Sequence, residues 1–242
     1  MESRTLGVLF DFEGTLVDFQ WRLALGEQAL REVLADAGFD RADLARETYS
    51  TMWNRVRREL ESPRREEVAR RLEPIYDRYD SDALSRWSAR DGAADLLARL
   101  RQAGLRVGVV SNIGSRFLHE ALDRFGLGPL LDTVVSRNDV DLMKPAGDGI
   151  RKAAAAMGVP VEAVLLVGDS RTDVLAARDA GARVAVVLGG ESAADDFIDL
   201  PPDCRLATLA AVGEVVWEAV EKRSPGHRAA LGGAMPRPRS RP

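Results

Sequence analysis

Thiols are almost absent from this chain: among 242 residues there is one cysteine, Cys204. A single thiol can form neither an internal disulfide nor a thiolate metal cluster, which excludes a disulfide-stapled fold and a zinc ribbon. Histidine is nearly as scarce, and the two present, His119 and His227, stand isolated from catalytic partners. No apolar run approaches the roughly 18 residues of a membrane-spanning helix. The opening MESRTLGVLFDFEG reaches acidic residues before any long apolar run, so no secretory leader is expected. An excess of basic charge is lacking too: 34 Lys+Arg stand against 38 Asp+Glu, leaving no global field for a nucleic-acid backbone. The expectation is a cytoplasmic monomer or homodimer with no membrane and no nucleic-acid partner. What the chain does contain, 45% hydrophobic and 30% charged residues, suits a globular protein. Its length, about 1.6 typical domains, allows one sizeable core and a smaller satellite.

Short β-branched runs alternate with helix-length segments. Leu6–Phe10, Leu105–Val110, Thr133–Val135, Val164–Val167 and Val184–Leu188 read as strands buried on both faces, which indicates a parallel sheet covered by helices. Helical periodicity over 92–103, 115–125, 147–157 and 171–180 ends near glycines, as helices commonly do. The fold class is therefore α/β, with a Rossmann-like three-layer core spanning 1–18 and 90–221. Residues 19–89 break the alternation and show helical periodicity alone. Trp21, Leu25 and Ala29 share a stripe, widened by Leu30, Val33, Leu34 and Ala37. Ser62 and Pro63 are placed to open a later helix, with Ser62 as its cap, and Pro74 is expected to kink it or end it early. Seventy helical residues exceed a simple crossover and read as a small bundle above the sheet's C-terminal edge, able to exclude water. The arginines at 55, 57, 58, 64, 65, 70 and 71 read as a solvated face with Glu61, Glu66 and Glu67 as partners. Residues 222–242, basic and rich in proline and glycine, read as a disordered tail.

Open parallel sheets bind ligands outside the carboxyl ends of their strands, and polar residues follow several of these runs. Asp11 and Glu13 put two carboxylates at the mouth of the first strand, able to face the same side if strand geometry persists. Gly14 permits a sharp turn and Thr15 offers a hydroxyl. Asp169 and Asp173 flank a helix start one turn apart. Carboxylates without histidine or thiol partners suit a hard ion such as Mg²⁺. Lys144, before Pro145, supplies the compact positive charge expected beside them.

These motifs, VLFDFEGTL, VVSN, Lys144-Pro145 and LLVGDSRTDVLAARDAG in that order, resemble the haloacid-dehalogenase superfamily of aspartyl-nucleophile phosphohydrolases. The resemblance covers roughly residues 5–215, and the segment 19–89 resembles the helical cap of its phosphoglycolate-phosphatase and dehalogenase branches. It implies Asp11 as nucleophile and Glu13 as general acid/base, with the Glu13 backbone carbonyl as a metal ligand. It implies Ser111 and the Asn112 amide as holders of the phosphoryl oxygens, and Lys144 as the neutralising cation. Asp169 becomes a direct Mg²⁺ ligand, with Asp173 as a second ligand or as its orienting partner, and Thr15 supports the loop. The substrate implied is a small phosphorylated metabolite, with phosphoglycolate the leading candidate. One position departs: most such phosphatases carry aspartate where this chain has Glu13, and one extra methylene on an unaltered backbone misplaces the carboxyl. Either the loop has adapted, as in enolase-phosphatase relatives with a DIEGT-like motif, or hydrolysis is weakened and a phosphate-binding regulatory module results. A phosphomutase built from the same parts is a further alternative. A dehalogenase is disfavoured by Glu13, Asp169 and Asp173 together.

Overall fold

The computed structural model describes residues 6–221, with side chains described to residue 216; the basic segment 222–242 lies outside them. Strands β1 (Gly7–Phe10), β2 (Arg106–Val110), β3 (Thr133–Val135), β4 (Val164–Gly168), β5 (Arg183–Val187) and β6 (Cys204–Leu206) form one sheet in the order β3-β2-β1-β4-β5-β6. Every pairing is parallel. β1 and β4 are buried along their whole length, which explains their unbroken apolar sequence. The chain order reverses between β1 and β4, and Phe10 lies level with Val167. Asp11 and Asp169 thus leave the sheet side by side at the topological switch, where open α/β sheets form crevices.

Helices α1 (Leu23–Asp36), α2 (Arg41–Leu44), α3 (Tyr49–Glu59) and α4 (Arg64–Leu84) fill the interval between β1 and β2. α5 (Ala93–Gln102), α6 (Ser115–Arg124), α7 (Asp148–Met157), α8 (Arg171–Ala180) and α9 (Ala211–Glu221) cover the sheet. One apolar cluster runs from Val8 and Phe10 through Phe12 and Trp87 to Leu30, Leu34 and Tyr76, so the helical insertion and one face of the sheet share a core. Phe12 meets Trp87 edge to face at 5.2 Å between ring centroids. A second cluster, around Leu9, Ile150, Leu166 and Val174, fills the opposite face.

Several local expectations need correction. Beyond the five strands expected from the sequence there is a sixth, the edge strand β6, too short and too near a proline pair to stand out. Leu25 is 52% exposed; α1 turns Gly26, Leu30 and Leu34 inward instead, and Trp21 precedes the helix. Pro63 takes the N-cap position of α4 and no side chain caps that end. The helix also runs unbroken past Pro74 to Leu84, because Val68, Leu72, Tyr76, Tyr79 and Ala83 are all buried. That burial outweighs the ~3 kcal/mol an interior proline costs. The arginine face is solvated, but its partners differ: Arg55 pairs with Asp43, Glu47 and Glu59, Arg57 with Asp141, and Arg71 with Asp36. Of the expected acids, Glu66 is paired, with Arg65.

Candidate active site

The site lies at the carboxyl ends of β1, β2 and β4, beneath α3 and α4. Its centre is Lys144, whose Nζ lies 2.8 Å from Asp11 Oδ1 and 2.7 Å from Asp173 Oδ1. Burial works against the ammonium charge, but Asp11 and Asp173 more than offset it and hold the group above the ordinary lysine value. The loop carrying Lys144 is pinned by Asn112, whose Oδ1 accepts the Lys144 amide and whose Nδ2 donates to the Lys144 carbonyl, both at 3.0 Å. That side chain thus fixes the Lys144 backbone from both sides. Ser111 is buried beside it, its Oγ accepting the Ile113 amide at 3.3 Å.

Asp169 receives Thr15 Oγ1 on Oδ1 at 2.9 Å and the Glu191 amide on Oδ2 at 2.6 Å. Such packing requires glycine on two sides. A Cβ at Gly14, whose φ is +80°, would meet Asp169 Oδ2 at 2.2 Å, and one at Gly190 would meet it at 2.1 Å. Asp173 is held differently: Oδ2 accepts the amides of Asp169 and Ser170 and the Ser170 hydroxyl, while Oδ1 faces Lys144. It closes the capping box that starts α8, so one carboxylate orders both the helix start and the lysine.

Asp11, Asp169 and Asp173 each offer an oxygen within 4.8 Å of the others, close enough to share one metal ion. Burial pushes the Asp11 carboxyl up to about 6, with Lys144 opposing and Asp173 reinforcing the rise. Asp169 is held well above the usual carboxylate range by burial and by Asp11 and Asp173. Three buried acids against one lysine leave negative charge that a divalent cation would offset, and the all-oxygen donor set fits a hard ion.

Glu13 does not turn toward Lys144. Its Oε1 accepts three donors: the Gln20 and Trp21 amides at 2.7 Å each and Trp87 Nε1 at 2.8 Å. These donors belong to the two chain segments entering and leaving the helical insertion. Burial pushes the carboxyl up to about 8 against the pull of these donors, which favours its protonated form near neutrality, and with Oε1 taken by three donors Oε2 is the oxygen placed to carry the proton. The longer side chain thus occupies a socket formed by the linkers.

Four contributors escaped the sequence reading. Tyr49, first residue of α3, is half-buried over the site with its hydroxyl 3.3 Å from Asn112 Nδ2. Glu191 follows β5, and burial together with Asp173 and Asp11 pushes its carboxyl up to about 7. The strand-end rule that found Asp11 and Asp169 applied equally to Gly189-Gly190-Glu191. Asp80 of α4 and Arg137, 1% and 2% exposed in their side chains, pair at 2.8 Å and carried no local signal. Asp80 also accepts the Gly114 amide and Trp21 Nε1, while Arg137 donates to the Asn112 carbonyl and lies 4.8 Å over the Tyr76 ring. This buried pair ties the helical insertion to the Ser111–Gly114 loop.

The family described as haloacid dehalogenase-like hydrolase matches residues 5–181. Phosphoglycolate phosphatase of Escherichia coli (strain K12) is 32% identical, over 72% of this chain and 78% of that protein. N-acetylmuramic acid 6-phosphate phosphatase of Pseudomonas aeruginosa is 31% identical, over 77% of this chain and 83% of that protein. Among solved structures, a HAD family hydrolase from Deinococcus radiodurans with bound phosphate and sodium superposes with a TM-score of 0.61 at 26% identity, covering 90% of this chain and 97% of that one.

Proposed function

The chain belongs to the haloacid dehalogenase-like hydrolases, and on that premise we propose that it is a Mg²⁺-dependent phosphomonoesterase of small metabolites, working through an aspartyl-phosphate on Asp11. The observation that carries this reading is the cluster of Asp11, Asp169 and Asp173 around one buried lysine at the switch point of the sheet. Asp11 and Asp169 would hold the ion, with the Glu13 backbone carbonyl. Asp173 would contribute through Oδ1 or act by fixing Lys144, since its Oδ2 is taken by three donors. Bound there, Mg²⁺ supplies positive charge that lets a carboxylate and a phosphate dianion approach.

The Asp11 carboxylate attacks phosphorus, the bond from phosphorus to the leaving oxygen breaks, and the alkoxide takes the proton from Glu13 Oε2. Lys144, Ser111 and the Asn112 amide steady the phosphoryl oxygens. Ionised Glu13 then takes a proton from water, whose oxygen attacks phosphorus; the bond to Asp11 breaks and orthophosphate leaves with the carboxylate restored. The linker socket around Glu13 favours the adapted-loop alternative over a weakened scaffold. Residues 19–89 act as a cap over the core segments 1–18 and 90–221: the cavity beneath them has a volume of about 10 Å³, roughly one water, so substrate enters as they part. Phosphoglycolate is the substrate suggested by the relatives' names.

Phosphate release from a panel of phosphomonoesters, with and without Mg²⁺, tests the reading in wild type and Asp11→Asn. Metal-dependent release that Asp11→Asn abolishes is expected. Phosphate retained on a second sugar hydroxyl instead would make the enzyme a mutase, and binding without release would make it a regulatory module.

A further inference from the structure

The cavity between cap and core lies directly against Glu13 and Asn112, where a leaving group would emerge from the reacting phosphoryl. Its apolar and aromatic wall is built from Phe19, Trp21, Leu23, Tyr49, Tyr76 and Ile113, five of which come from residues 19–89. Trp21 and Tyr49 lie 4.9 Å apart with their planes 34° from parallel, forming a continuous aromatic surface. The polar members of the lining are Glu13, Asp80 and Asn112. No lysine, arginine or histidine is among them.

The nearest cations are already matched. Lys144 carries Asp11 and Asp173, and Arg137 carries Asp80 and Asp77. The acids of the lining bring no free cation with them: Glu13 is held by the linker donors and Asp80 is paired with Arg137. An incoming phosphate has Lys144 and the metal site to meet it. A second negative charge on the same molecule would enter a largely aromatic space whose lining offers it no cation, and a buried carboxylate without one is strongly disfavoured.

Resting on the phosphomonoesterase reading, we infer that the leaving group is an uncharged alcohol seated on the Trp21–Tyr49 surface, and that carboxylated phosphomonoesters are selected against. The chain would then differ in substrate from the relatives named for phosphoglycolate. Discrimination comes as much from what the wall withholds as from what it offers.

Matched ester pairs isolate the charge: hydroxyethyl phosphate against phosphoglycolate, and glycerol phosphate against phosphoglycerate, each compared by kcat/KM with Mg²⁺ present. The uncharged member should lead by about tenfold or more in both pairs. Equal rates, or a lead for the carboxylated members, overturn the inference and leave the phosphatase reading standing. No release from any of the four, nor from para-nitrophenyl phosphate, overturns both. A second measurement separates charge from shape. Leu23, half-buried at the start of α1, is replaced by lysine to supply the missing cation and by methionine as the uncharged control. Leu23→Lys should narrow the ratio several-fold where Leu23→Met does not; an unaltered ratio assigns the preference to shape and overturns the inference.

Discussion

The floor and the roof of this site are built in opposite ways. The floor is ionic: Asp11 and Asp169 follow β1 and β4, Asp173 stands in the first turn of α8 and Lys144 on the segment before α7, and backbone amides and hydroxyls hold two of the carboxylates in place. The roof is aromatic: Tyr49 and Tyr76 come from α3 and α4, Trp21 from the segment leading into α1, and Trp21 packs on Tyr49 while Tyr76 packs on Trp53. Hydrogen bonds fix a floor atom to within tenths of an ångström, whereas packed rings tolerate exchange for others of similar volume. The floor thus fits chemistry that admits little variation, and the roof fits the choice of leaving group. Two devices join them: Glu13, gripped by both linkers, and the Asp80–Arg137 pair.

The difference can be broken or sharpened by substitution. The largest effect is expected from Asp11→Asn, which should lower turnover by roughly 10⁴-fold or more. Its thermal midpoint should stay level or rise, because the carboxylate removed is one that burial and Asp173 already disfavour. Activity assays with calorimetry check both halves. Next comes Arg137→Met, which strands Asp80 in the interior and should cost ~3–5 kcal/mol in urea unfolding. The double variant Arg137→Met with Asp80→Leu should recover much of that loss, and a failure to recover would mean that Asp80's bonds to Gly114 and Trp21 dominate. Glu13→Asp should reduce kcat by roughly a hundredfold, since the shortened acid cannot reach the Gln20, Trp21 and Trp87 donors from the same backbone. A faster Glu13→Asp enzyme would show that the socket is not adapted to glutamate. Smallest is Tyr49→Phe, which removes a hydroxyl and leaves the ring surface. It should move kcat/KM by less than about tenfold, with the change in KM rather than kcat.

How much of this could be read in the residues follows the same division. Strand ends are marked by an apolar run that stops at a polar residue, so Asp11, Ser111 and Asp169 could be placed together from sequence despite their separation. The sheet order needed one more fact, the pairing of β1 with both β2 and β4, which no local pattern encodes. The orientation of Glu13 could not be read, because its donors lie 7, 8 and 74 residues away and depend on how the linkers close. Tyr49 and Asp80 look like ordinary members of amphipathic helices until α3 and α4 are docked. Leu25 shows the reverse failure: it fits a helical stripe, yet the first turn of α1 turns it to solvent. β6 escaped because three residues at a sheet edge have too little periodicity to be seen. Helical patterns report which side of a helix is covered, and they are silent about which partner covers it.

The central claim is that Asp11 becomes phosphorylated. Rapid quenching of the enzyme with a phosphorus-labelled ester and Mg²⁺, followed by proteolysis and mass spectrometry, tests it directly. The account predicts label on the peptide carrying Asp11, formed within one turnover and absent from Asp11→Asn. Turnover without label at Asp11, or label persisting on the Asp11→Asn protein, would contradict it.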